Sequence, residues 1–209
     1  MDQGLELKNI ADAVSNCKKC DLCHSREKGV PGEGPPNAEI MFIGEGPGFH
    51  ENMQGRPFVG AAGDLLVDLL GAIGMKREQV FITNVVKCRP PGNRDPLPEE
   101  LEACNPYLEK QLQIINPKVI VTLGRYSMAQ FIPQAKISEI HGQPVTVKGM
   151  LVVPFFHPAA ALHRPSLRPV VEADFAKLPD LIRNAQQAPA YQPTEIIEDN
   201  SQAEQLSLF

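Results

Sequence analysis

Four short apolar runs, each stopped by turn residues and separated by stretches of helical period, leave this chain few architectures. Residues 39–44 form an apolar run ending in a Gly/Pro turn and read as a buried strand, and 80–86 and 118–123 read the same way. Residues 145–147 and 151–155 read as a hairpin or strand pair. Leu65, Leu66, Leu69 and Leu70 give 62–73 helical spacing. Residues 98–115 open on Pro98, where a missing N–H costs nothing, with Glu99, Glu100 and Glu102 where the helix dipole favours acids. Helices are also expected over 3–16, 124–132 and 170–188. Strands alternating with helices predict an α/β fold: a three-layer α/β/α sandwich around a mostly parallel, four-stranded sheet. One domain over 1–188 is expected, long enough to bury a core. From about 189 to 209 the composition turns to Gln, Pro, Ala and acids, which predicts a disordered tail.

In such sheets ligands bind beyond the carboxyl ends of the strands, and the unusual loops of this chain fall there. Gly44-Glu-Gly-Pro-Gly48 follows the first strand, Thr83-Asn84 ends the second, and His157-Pro158-Ala159 follows the last. Gly55-Arg-Pro-Phe-Val-Gly60 sets an aromatic between glycines. Taken singly, these are a structural turn, a strand end, a structural histidine and a core phenylalanine. Their convergence at one end of a sheet is the functional signal.

Five cysteines in a chain with no basic, apolar leader and no membrane-length apolar stretch point to a cytosolic protein using thiols or metal rather than disulfides. Cys17-Lys-Lys-Cys20 is a knuckle with Cys23 three residues on, and Cys88 and Cys104 lie far downstream. Four such thiolates suit zinc or an iron-sulfur cluster, and spacing alone chooses neither between the metals nor between Cys20 and Cys23. The net charge of -5 argues against tight nonspecific binding to nucleic acid. Four of the 25 acids lie beyond residue 184 with no Lys or Arg among them, so 20 basic residues face 21 acids upstream and a local basic patch remains available.

Taken together and in order, Cys17-x2-Cys20, Gly44–Gly48, Gly55–Gly60, Ile82-Thr-Asn-Val-Val-Lys-Cys-Arg-Pro-Pro91, Cys104 and Phe156-His-Pro-Ala159 closely resemble the family 4 uracil-DNA glycosylases, the iron-sulfur type of bacteria and archaea. The resemblance covers about residues 5 to 185. It implies base-excision repair: hydrolysis of the N-glycosidic bond of deoxyuridine in single- and double-stranded DNA, without a lyase step, by a monomer. It implies a structural 4Fe-4S cluster on Cys17, Cys20, Cys88 and Cys104, with Cys23 an extra thiol. Phe58 would stack on the flipped uracil and Asn84 would pair with O4 and N3–H. His157 would donate to O2, assisted by backbone N–H groups of the Gly44–Gly48 turn, in which Gly46 would meet the substrate where some other glycosylase families carry Asp or Asn. Glu45 would shape the pocket, and Glu51 would position water or wall off a thymine methyl. The family often continues its first motif with acids, whereas Phe49-His50-Glu51-Asn52 stands here.

A glycosylase must take its base out of the stack. Leu162, on a loop with His163, Arg164 and Arg168, suits a wedge filling the vacated space. Lys87, Arg89 and Arg94 are candidate phosphate contacts. The terminal Gln205-Leu206-Ser207-Leu208-Phe209 looks like the bacterial sliding-clamp pentapeptide, with Gln205 as anchor and Leu206, Leu208 and Phe209 as apolar contacts, and it suggests a bacterial owner. Two other readings compete. One is a non-hydrolytic or covalent uracil-DNA binder, which in a related group needs a basic insertion where Gln54-Gly55-Arg56-Pro57 here runs on unbroken. The other is a zinc-stapled scaffold with a dead pocket, against which the intact Phe58, Asn84 and His157 set speaks.

Overall fold

The structure, a computed structural model, describes residues 2–185. The chain runs α1 (Gln3–Ser15), α2 (Leu22–Ser25), β1 (Ile40–Gly44), α3 (Phe49–Gln54), α4 (Ala61–Ala72), β2 (Phe81–Asn84), α5 (Pro98–Ile115), β3 (Val119–Leu123), α6 (Arg125–Ala129), α7 (Ile137–Ile140), β4 (Val145–Val147), β5 (Met150–Phe155), α8 (Pro158–His163), α9 (Arg168–Ala176) and α10 (Leu178–Asn184). The strands lie in the order β2-β1-β3-β5-β4. All neighbours are parallel except β4 and β5.

The expected sandwich is present, and alternation along β1 shows why. Ile40 and Phe42 pack with Leu65, Leu66, Leu69 and Leu70 of α4 and with Val171 and Phe175 of α9. Met41 and Ile43 point the other way, to Leu108, Leu112 and Ile115 of α5. Helices therefore cover both faces, and β1, β2 and β3 are buried along their whole length.

Among the described residues the sheet has five strands, not four. The fifth, β4, is a three-residue antiparallel edge whose residues are only half-buried or exposed. The helix expected over 170–188 is two helices, α9 and α10, parted at Lys177. Pro179 has no N–H to donate to the carbonyl of Phe175, so the turn cannot continue. The helix expected over 124–132 closes early, at Ala129. Among the described residues, no helix is long and apolar enough to cross a membrane.

Candidate active site

Register assembles the site. Gly44 pairs with Asn84 where β1 and β2 end, and β5 ends two residues before His157. Around these ends lies a cavity of about 400 Å³ walled by three segments: Glu45, Gly46, Pro47, Gly48 and Glu51; Pro90 with Asn93–Pro96; and His157, Ala159 and His163. Phe58 and Asn84 form part of its lining.

Asn84 is 1% exposed, and its buried side-chain Oδ1 has no hydrogen-bond partner among the described residues. Leaving such an acceptor unmet costs about 1–3 kcal/mol, which a ligand N–H would recover. Gly44 is the residue that makes room for it: a Cβ there would collide with Asn84 Oδ1 and stand 2.8 Å from the Phe58 ring.

A single buried ammonium with three hydrogen bonds ties the Asn84 carbonyl to two neighbouring side chains. Lys87 Nζ donates to Asn84 O at 2.7 Å, Thr83 Oγ1 at 2.6 Å and Gln111 Oε1 at 2.8 Å. Three acceptors match the three donors of the charged form, although burial pulls this ammonium down to about 7. Gln111 Nε2 and Thr83 Oγ1 both donate to Pro31 O, tying the N-terminal arm into the network. Lys87 is therefore not a phosphate contact, because it is 1% exposed. A lysine between Val86 and Cys88 in a Pro-rich stretch looks like surface, and nothing local reveals its partners. Gln111 was more detectable, since it falls on the apolar stripe of Cys104, Tyr107, Leu108, Leu112 and Ile115.

Phe58 sits at φ 52, in the left-handed region, and two groups hold it there. Arg77 donates to Phe58 O at 2.8 Å and to Pro57 O. Glu51 Oε1 accepts from Val59 N–H at 2.8 Å and Gly60 N–H at 3.0 Å, while its Oε2 accepts from Gly48 N–H at 3.1 Å. Both Glu51 oxygens are thus engaged with the backbone flanking Phe58 and starting α3. The geometry makes Glu51 first a brace, and leaves any water-positioning role only the remaining lone pairs. Backbone donors cannot be read from side-chain identity, so the sequence offered no warning of this.

His157 is the N-cap of α8, its Nδ1 accepting from Ala159 N–H at 3.1 Å. An accepting Nδ1 carries no proton, so the neutral ring bears its hydrogen on Nε2. The ring stacks on Phe58, with centroids 5.4 Å apart and planes 21° from parallel. Burial holds the imidazole pKa down to about 4, against the opposing pull of Glu51. Protonation of His157 therefore favours the unfolded chain. Its contribution to stability is complete above about 6.5 and is lost as pH falls toward 4. An NMR titration of the His157 ring is expected to show no inflection near 6.5 and a midpoint near 4; a midpoint at 6.5 would mean the ring is solvated.

Glu45 turns away under α6: its Oε1 accepts from Tyr126 N–H at 3.1 Å, and a Cβ on Gly124 would strike it. Burial raises its carboxyl above the usual range, with the Tyr126 N–H opposing. The wall also contains Asn93, Arg94 and Asp95, none of them singled out as lining from sequence. Arg94 is committed to Glu100 in a two-pronged contact at 2.6 and 2.9 Å. Arg89 reaches Asn93 Oδ1 at 2.7 Å. Leu162 is 42% exposed on α8, and Arg164 follows it on the surface.

Behind the β2 end, Cys17, Cys20, Cys88 and Cys104 belong to one cluster with Ile10, Val14 and Tyr107. Cys88 Sγ accepts from Arg26 Nη1 at 3.2 Å and Cys104 Sγ from Lys87 N–H at 3.2 Å. Burial raises the thiols of Cys20, Cys88 and Cys104, the last to about 11. Among the described residues, no three His, Cys, Asp or Glu side chains are gathered tightly enough to hold a metal ion. Gln205–Phe209 lies outside the described residues.

Residues 31–178 match the family model described as the uracil DNA glycosylase superfamily. A type-4 uracil-DNA glycosylase of Sulfurisphaera tokodaii is 50% identical over 185 residues, covering 84% of this chain and 84% of that protein. The type-4 enzyme of Archaeoglobus fulgidus is 49% identical over 185 residues, covering 84% of this chain and 92% of its own. That of Thermotoga maritima is 45% identical over 179 residues, covering 83% and 93%.

Proposed function

The chain belongs to the uracil DNA glycosylase superfamily, and from that membership we infer that it excises uracil from DNA as a type-4 enzyme, releasing the free base and leaving an abasic site. The observation that carries the assignment of roles is the orphaned Oδ1 of Asn84 in the cavity lining. Uracil offers N3–H to that oxygen and O4 to the amide Nδ2. Cytosine offers a bare N3 and an amino group, so acceptor would face acceptor and donor would face donor.

In hydrolysis the C1′–N1 bond breaks, its electron pair leaves with the base, and a water oxygen bonds C1′, its lost proton passing through solvent to the departing uracil anion. Charge gathers on uracil O2, and the neutral His157 Nε2–H is the donor for it. Preorganised donors act where charge develops, so no proton need transfer. Phe58 supplies a ring face to the base, and Glu51 holds Phe58 in its left-handed conformation. The test is incubation of the full chain with a uracil-containing oligonucleotide, then alkali and a denaturing gel. Strand breaks with released uracil over many turnovers support hydrolysis. A stable adduct favours covalent trapping, and intact strand favours a dead scaffold.

Cys17, Cys20, Cys88 and Cys104 are the ligands we assign to a 4Fe-4S cluster. The donor set fits: four thiols from three segments, with N–H groups aimed at two of the sulfurs as in cluster sites. A cubane separates its ligands more widely than one ion does. Iron would supply the positive charge that buried thiolates need, and the bound group would cross-link the N-terminal arm to the segment following Asn84. Purified protein is expected to be brown, with iron and acid-labile sulfide in equal amounts, and Cys88→Ser to lose both and melt earlier. Colourless protein with stoichiometric zinc would contradict the assignment.

Residues 1–188 would form the catalytic unit, with Leu162, Arg164 and Arg89 meeting DNA. Gln205, Leu206, Leu208 and Phe209 would bind a sliding clamp. Deleting 205–209 should abolish retention on immobilised clamp while sparing uracil release from short oligonucleotides; unchanged retention would remove the clamp from the account.

A further inference from the structure

Phe49 is the first residue of α3, directly after the cavity-lining Gly48, and it is 54% exposed. The ring is nevertheless held. Arg89 Cζ lies over it, 5.4 Å from the centroid, and the His50 ring meets it edge-on at 5.5 Å and 82°. Arg89 in turn bonds Asn93 Oδ1, and Asn93 is part of the cavity wall. An exposed aromatic is thus fastened by a guanidinium to the rim of the cavity, at the seam between two of its three walling segments. None of these contacts serves the reading of uracil by Asn84 or the stabilisation of O2 by His157.

If the cavity receives a flipped uridine, as proposed above, the strand carrying it crosses this rim. The neighbouring base then loses a stacking partner on one side. A fixed ring with a cation beside it is suited to replace that partner, because every base has a π-face and a guanidinium adds attraction to bases and phosphates alike. We propose that Phe49, backed by Arg89, is a stacking platform for the base flanking the extruded uridine in the same DNA strand.

The test uses the full chain and single-stranded oligonucleotides carrying 2′-fluoro-2′-deoxyuridine, whose fluorine disfavours positive charge at C1′ and so resists cleavage. Three versions are compared: both flanking bases present, the 5′ flank replaced by an abasic analogue, and the 3′ flank so replaced. The wild type is expected to bind one of the abasic versions roughly tenfold more weakly, the size of a single base–aromatic stack. Phe49→Ala should lose the same factor on the intact strand and then be indifferent to removal of that flank. Phe49→Trp should keep the coupling, whereas Phe49→Leu, which preserves apolar bulk without a π-face, should lose it. Equal losses by Phe49→Ala on all three strands, or none on the intact one, would overturn the platform. Release of uracil by the wild type from an ordinary deoxyuridine strand separates the two claims. Release without coupling sinks the platform alone, and no release sinks the base-reading site and the platform with it.

Discussion

His157→Ala is expected to slow uracil release by about 10²–10³-fold, the usual cost of removing one preorganised donor to a developing oxyanion. The expectation follows from the proton inventory of the ring. Ala159 N–H occupies Nδ1, so Nε2–H is the hydrogen available to the cavity. Removing the ring also removes the cap of α8, worth about 1 kcal/mol, and its stack on Phe58. Single-turnover rates should therefore be read beside melting temperature. His157→Asn separates the two effects: asparagine restores a cap, but its shorter amide cannot place a donor where Nε2–H sits. Slow release with near-normal melting would mark loss of the donor. Recovery of the rate in His157→Asn would instead make the histidine a cap and nothing more.

Asn84→Ala is expected to do more damage to selectivity than to folding. Among the described residues the side-chain Oδ1 has no partner, so removing it breaks no bond seen to hold the fold and deletes an unmet acceptor. Substrate binding loses two complementary contacts, and sites built to hydrogen-bond a base discriminate by about 10⁴-fold. Uracil release should fall by about 10³-fold while melting temperature stays near the wild type. A variant that melts early would mean that Asn84 is held for structure, through contacts other than Oδ1.

Much of this site is legible before any coordinates. The strand ends are visible because buried parallel strands are continuous apolar runs, so the residue that breaks each run sits at the ligand end of the sheet. Asn84 and His157 are such residues. Register is not legible: that Gly44 lies beside Asn84, leaving room for its amide, follows from pairing between β1 and β2. Nor is the burial of Lys87, because its partners Thr83, Gln111 and the Asn84 carbonyl meet only in three dimensions. Glu51 looked like chemistry because carboxylates near a pocket often are, yet backbone donors from two loops claim both of its oxygens. The edge strand β4 carries too little apolar signal to stand apart from its hairpin.

The most direct measurement is single-turnover release of the base from oligonucleotides containing deoxyuridine or N3-methyldeoxyuridine. The methyl group removes the hydrogen that Asn84 Oδ1 is proposed to accept and adds bulk at the same edge, so Asn84→Ala is measured beside it. Release from the methylated strand should be slower by about 10³-fold or more in the wild type, and the gap should nearly close in Asn84→Ala. Equal rates for the two strands in the wild type would contradict the account, because the orphaned oxygen would then have no part in reading the base.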